Sequence, residues 1–362
     1  VLDPTTQQPT GLLLETASEI IARHIPAPTF AEWKESLRKA MTAAMSHGLT
    51  SVHTEDLRYL GGLEQTYKLY DQLINEEQSG LRCNLLIYYP FIKQLRELGM
   101  YAGYGNASLQ IGAVKIFADG SFGGRTALLS SPYEDKPDEY GSEIHDLERL
   151  TELFQEAREA MMPIAVHTIG DQALDHVLTT LEKFPPVKYR DRMIHTSLLR
   201  ADLLERLRKP TIVADIQPRF LVGDFPWLIE RIGEERANQC YIWKSMLSSG
   251  ILCAGGSDAP VEPIEPLLGI HAAVTRRSPH EQHAGYNPAE KLTMAEALQL
   301  FTLGGAYATN EEHVKGTISV GKYADMTVFS HHLLEIDPDE LLSTRIEKTI
   351  IGGEICYDKN LS

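Results

Sequence analysis

The chain has 362 residues, 43% of them hydrophobic, enough for a large core and more than the roughly 250 residues of one (β/α)8 barrel. Acidic residues outnumber basic ones by 50 to 34, a formal net charge of −16, which repels nucleic acid and anionic membranes and leaves small molecules, or further copies of the chain, as expected partners. The four cysteines, Cys83, Cys240, Cys253 and Cys356, include no C-x-x-C pair, which speaks against a disulfide framework or thiolate zinc site and for a cytoplasmic location.

No apolar stretch approaches the ~18 residues of a spanning helix, and the opening Val-Leu-Asp-Pro-Thr-Thr lacks the plan of a signal peptide. It also lacks a Met, as expected of a trimmed or partial chain. Gly11-Leu12-Leu13-Leu14 reads as strand-like but runs straight into a helical stretch at 15–21. Thr29 and Glu32 have capping-box spacing ahead of the apolar stripe Trp33, Leu37, Ala40, Met41 and Ala44, which predicts a helix ended by Gly48. Strands then alternate with helices. The strands are predicted at 50–53, 81–88, 112–117, 163–167, 192–195, 211–217 and 251–255, and the helices at 62–78, 90–98, 146–161, 172–183, 201–208, 239–249 and 264–277. This alternation predicts a parallel sheet. The count is seven strands where a closed barrel takes eight, so either one strand is missed or the chain begins after the first.

The longest irregular stretch, 119–141, follows the 112–117 strand and is expected to overhang its C-terminal end. A second turn-rich stretch, 278–288, holds His280 and His283. Beyond about residue 310 short β-prone runs at 314–318, 321–329 and 349–353 are punctuated by glycines. The expected organisation is a TIM-type (β/α) barrel over 1–310 and part of a small β-sandwich domain over 311–362.

Four polar residues sit where apolar strands give out: Lys115 in Val-Lys-Ile-Phe, His167 in Val-His-Thr-Ile-Gly-Asp, His195 in Met-Ile-His-Thr, and Asp258 in Gly-Gly-Ser-Asp-Ala-Pro. A (β/α) barrel presents its chemistry at the C-terminal ends of its strands. Imidazoles and carboxylates converging there form the donor set of a zinc-like ion, so the pattern points to metal-assisted hydrolysis. His167 and His195 are 28 residues apart, one barrel repeat, which places them side by side on adjacent strands. Each residue also has a plainer reading: an ion-paired lysine, satisfied core histidines, an Asx turn at Asp258.

These motifs, with Gly-Thr-Ile-Ser-Val-Gly-Lys and Ala-Asp-Met-Thr-Val-Phe in the tail, resemble the amidohydrolase superfamily, in particular its YtcJ-like branch, over nearly the whole chain. The resemblance implies a metal-dependent (β/α) hydrolase with a β-sandwich formed from both chain ends. It also implies one or two divalent ions, zinc by expectation, and cleavage of a C–N bond in an N-acyl or N-formyl compound. Lys115 would then be a ligand as its carbamate, His167 and His195 ligands, and Asp258 a ligand and the general base. The family's first-strand His-x-His is missing from this sequence, so the chain is expected to start beyond it and to bind metal weakly. His53, Asp119, Arg125 and Asp171 are candidates to support a ligand or touch substrate, and Asp171 is equally a helix cap. Tyr133 and the Arg276-Arg277 pair are further candidates for substrate contact. Two other readings stand beside hydrolysis: a Schiff-base or isomerase barrel using Lys115, and an incomplete, inactive barrel.

Overall fold

The computed structural model describes residues 2–3, 5–11 and 24–361; the strand-like Leu12-Leu13-Leu14 and the helical reading of 15–21 lie outside the described residues. Seven strands form one parallel sheet in chain order: β1 (Ser51–Thr54), β2 (Arg82–Tyr88), β3 (Leu109–Phe117), β4 (Ile164–Thr168), β5 (Asp191–His195), β6 (Ile212–Ile216) and β7 (Leu252–Gly255). Every neighbouring pair is parallel. Among the described residues β7 and β1 are not paired.

Each crossover is built on a helix whose apolar stripe covers the sheet. Phe30–Ser46 has the expected capping box, with Thr29 and Glu32 satisfying each other's backbone N–H groups, and buries Leu37, Met41, Ala44 and Met45. Leu147–Glu159, capped by Asp146, buries Leu150, Leu153, Phe154 and Ala157. The sequence reading passed over the helices Pro218–Asp224 and Trp227–Ala237. Pro226 separates them, and Gly233 interrupts the second with φ 79°, so neither shows an unbroken 3.6-residue period.

Alternation sorts the strands into two faces. Leu85, Ile87, Val114, Ile116, Ile164, Val166 and Met193 belong to the main core beneath the helices. Leu86, Ala113, Ala165 and Ile194, one from each of β2 to β5, form a separate cluster on the opposite face. Two residues further along, that second face carries Tyr88, Lys115 and His167. The site is therefore an extension of the inner apolar layer. Strands β2 and β3 approach closely where the register shifts between Leu85 and Ile87; a Cβ on Gly112 would lie 2.0 Å from Asn84 Oδ1.

The tail is a three-stranded antiparallel sheet of β8 (Met326–Phe329), β9 (Ile346–Ile351) and β10 (Glu354–Asp358), in the order β10-β9-β8. The predicted strand at 314–318 is turn instead, with Lys315 paired to Glu311 at 2.6 Å. Thr327 and Thr349 donate to the carbonyls of Gly48 and Met45, each at 2.6 Å. Arg82 at the start of β2 grips Asp325 with two hydrogen bonds of 2.7 and 3.0 Å. These contacts fix the small sheet to the segment before β1 and to the start of β2. No described helix is long and apolar enough to cross a membrane, and all four cysteines are free thiols.

Candidate functional site

His167 and His195 come together. Their ring centroids lie 4.4 Å apart with planes at 74°. Strand register alone would not achieve this, because His167 pairs with Ile194 and His195 falls one residue later, on the opposite face by alternation. The backbone of His195 takes φ 72°, a left-handed conformation that breaks the strand and re-aims the side chain. The His195 ring then stacks on Phe220 at 5.3 Å, and His167 packs beside Phe117 at 5.5 Å.

Hydrogen bonds fix both tautomers. His167 Nε2 faces the Gly120 carbonyl at 2.9 Å, so Nε2 carries the proton and Nδ1 the lone pair. His195 Nδ1 faces Gln217 Oε1 at 2.7 Å. Gln217 Nε2 donates to the Asp215 carbonyl at 3.1 Å, which sets the amide orientation and makes His195 Nδ1 the donor. The lone pair of His195 is therefore on Nε2. Arg192 completes the chain by donating to Asp215 through Nε at 3.0 Å and also through Nη2. Burial, reinforced by Lys115, pulls the His167 pKa down to about 3. Burial, His167 and Lys115 hold His195 well below the ordinary imidazole value. Both rings are neutral, the state in which imidazole binds a metal.

Lys115 is 7% exposed and, among the described residues, makes no hydrogen bond; its Nζ lies 4.6 Å from the Phe117 ring centroid. Desolvation lowers its pKa to about 8, against the attraction of Asp258 and Asp215. Asp258 follows β7 with φ 57°. Its residue is accessible to solvent, yet enough protein surrounds the carboxyl for desolvation to raise its pKa, with Lys115 opposing.

The supporting candidates divide. Asp119 accepts backbone N–H groups from Leu128 (2.9 Å), Ile169 (3.1 Å) and Gly170 (2.8 Å), fastening the loop after β3 to the loop after β4. It also lies 3.6 Å from His167 Nε2, and burial pushes its pKa up to about 7 against those three donors. Asp171 is the first residue of the helix Asp171–Leu181, whose N-cap is Gly170. Its carboxylate holds Ser130 and Arg200 instead of capping. Arg125 is committed to Asp135 at 3.1 and 2.7 Å, and Tyr133 is buried with its hydroxyl on the Ala127 carbonyl. His53 shares the inner face of β1, where burial, Arg192 and Lys315 keep it neutral. Arg276 is fully buried, bonded to the carbonyls of Tyr286 and Tyr241 and stacked on Trp243, and Arg277 is bound to Asp339. Neither arginine faces a site.

Two residues that carry the site were missing from the sequence reading. Gln217, one residue past β6, orients His195. Glu55, one residue past β1, attracts Lys115 by its charge and has one buried carboxylate oxygen without a hydrogen bond.

Among the described residues no three or more His, Cys, Asp or Glu side chains are gathered to hold a metal ion. Asp258 therefore does not join the histidines in a three-member set. What is present fits two ligands of such an ion, two neutral imidazoles with complementary free nitrogens, alongside a buried and unbonded lysine amine.

Residues 1–357 match a family profile described as Amidohydrolase family. The chain is 42% identical over 98% of its length to the YtcJ protein of Bacillus subtilis (strain 168) and covers 66% of that protein. It is 23% identical to an N-substituted formamide deformylase of Arthrobacter pascens over 69% of the chain and 46% of the relative. The chain thus spans less than two thirds of the curated relatives it matches. Among solved structures, an uncharacterized metal-dependent hydrolase from Pyrococcus furiosus superposes with TM-score 0.74 at 31% identity, covering 89% of this chain and 64% of that one.

Proposed function

The chain belongs to the amidohydrolase family, and on that premise we propose that its curled sheet is part of a (β/α) barrel performing metal-dependent hydrolysis of a C–N bond in a small molecule. The observation that carries this reading is the His167–His195 pair: two buried, neutral imidazoles from adjacent strands, 4.4 Å apart, with tautomers fixed so that Nδ1 of one and Nε2 of the other remain free. A divalent cation of the zinc type, when bound, supplies a Lewis acid and an activated water. His167 and His195 are the residues that would hold it. Lys115, with its pKa at about 8, has a neutral amine fraction at neutral pH that captures carbon dioxide as a carbamate, which supports its role as an oxygen ligand. Asp258, its pKa raised by desolvation, is the better base for that shift. It takes the proton of the attacking water and returns it to the leaving nitrogen.

The bond class is an amide of the N-formyl or N-acyl kind, supported by the formamide-cleaving relative. The test is elemental analysis with hydrolysis of N-formyl and N-acyl amines. Wild type loaded with zinc is expected to bind it weakly, and His167→Ala and His195→Ala to lose it together with hydrolysis; unchanged zinc binding in both variants refutes the assignment. A second reading rests on the unbonded Lys115 amine, whose lowered pKa also suits Schiff-base formation. Borohydride trapping of a carbonyl compound on Lys115, without bound metal, would favour it.

A further inference from the structure

The carboxylate of Glu55 has one oxygen that the site described above leaves unused. Its side chain is 9% exposed. Oε2 accepts from Arg58 Nε at 2.9 Å, while Oε1 is buried with no hydrogen-bond partner. A buried carboxylate oxygen left unpaired costs free energy, and a bound group that donates to it removes that cost. Its placement is at the C-terminal edge of the parallel sheet, the edge that carries the site. Glu55 directly follows β1 (Ser51–Thr54), and its charge acts on Lys115 and is acted on in return. Arg58 lies over the Phe117 ring at 4.7 Å, the same ring that Lys115 Nζ approaches to 4.6 Å and that packs on His167.

We propose that Glu55 is a specificity-determining residue whose free Oε1 accepts the N–H of the substrate, so that the site selects secondary amides over tertiary ones. This rests on the amide reading above and deepens it. The donor is a neutral N–H and not an ammonium, because Arg58, bonded to the same carboxylate at 2.9 Å, is a permanent cation that would repel a second one. A carboxylate is also the stronger acceptor for a neutral donor.

The experiment measures binding, separately from turnover, using N-benzylacetamide and its tertiary analogue N-benzyl-N-methylacetamide as probes, by calorimetry on wild type, Glu55→Gln and Glu55→Leu. Wild type is expected to bind the secondary amide about tenfold or more tightly than the tertiary one, the worth of one hydrogen bond to a charged acceptor. In Glu55→Gln the amide oxygen stays on Arg58 Nε and the NH2 turns toward the ligand, a donor facing a donor, so the preference is lost although the side chain keeps its shape. Glu55→Leu, which has no acceptor, loses it as well. A preference that survives both substitutions is steric and overturns the inference, as does equal binding of the two probes by wild type or binding of neither. Because no turnover is needed, failure to hydrolyse any amide would count against the hydrolase reading alone, whereas hydrolysis without the secondary-amide preference would count against Glu55 alone.

Discussion

Lys115→Met should make the protein more stable at neutral pH. The folded chain holds this lysine at a pKa of about 8 against 10.5 for an ordinary one, chiefly through desolvation, which corresponds to about 3 kcal/mol of folding free energy spent on burying the charge. The sign follows from proton counting. Between about pH 8 and 10.5 the unfolded chain binds a proton that the folded chain does not, so stability rises with pH through that window, and below it the full cost is present. Methionine fills a similar volume without charge. That shift already includes the attraction of Asp258, Asp215 and Glu55, so the net gain is about 3 kcal/mol, or a rise of roughly 4 °C in Tm for a chain of this size. Thermal and urea denaturation of both proteins at pH 7 and at pH 10.5 check this. Equal stability at pH 7, or a difference that persists undiminished at pH 10.5, would refute the view that burial of the charged amine is what lowers its pKa.

Gln217→Leu removes the acceptor that fixes the His195 tautomer, and zinc affinity measured by calorimetry is expected to fall about 10- to 100-fold, as for other supporting partners of metal-bound histidines; Gln217→Glu, which keeps an acceptor, should retain most of it. Arg82→Ala leaves Asp325, 6% exposed, buried without its cation and should destabilise by about 3–5 kcal/mol. Limited proteolysis should then cut first within 326–358, because Arg82 ties that sheet to β2.

Much of the fold was legible because its strands are buried on both faces. β2 to β7 each show an apolar run, and each of the seven strands predicted for the parallel sheet overlaps an observed one with ends shifted by at most three residues. Lys115 and His167 were legible for the same reason, as polar residues at alternating positions in otherwise apolar runs. The approach of His195 to His167 was not. It depends on a left-handed turn at His195, and nothing local in Met-Ile-His-Thr demands one. Gln217 was hidden because an amide one residue past a strand has no signature until its partner is known. Arg276 was a candidate for substrate contact, yet it is buried because Trp243 and the carbonyls of Tyr241 and Tyr286 enclose it. Glu55 sits in a polar run, His-Thr-Glu-Asp, that offers no means of telling which carboxylate is buried. Its partner Arg58 is held over Phe117, 59 positions away, a contact that the local sequence does not show.

Of the eleven described non-glycine residues with left-handed backbone, three lie at the site. His195 (φ 72°), Thr196 (φ 49°) and Asp258 (φ 57°) all hold left-handed backbone, a conformation that costs a non-glycine residue about 1–2 kcal/mol. Nothing in Ser-Asp-Ala-Pro requires an aspartate for folding, since Asp258 has no side-chain hydrogen bond among the described residues and only its carbonyl is used, by Val261. If the aspartate is kept for its carboxylate, the backbone at 258 should prefer glycine. Comparing Asp258→Gly with Asp258→Ala isolates that preference, because both remove the same charge from Lys115. At an ordinary position glycine is the less stable of the two by about 0.4–1 kcal/mol, through the freedom it adds to the unfolded chain. Here the order should invert, with Asp258→Gly the more stable by about 1 kcal/mol, read by urea denaturation, and with neither variant hydrolysing amides. If alanine proves as stable as glycine, the left-handed turn is not a strain imposed at Asp258, and its carboxylate loses this independent support as a catalytic group.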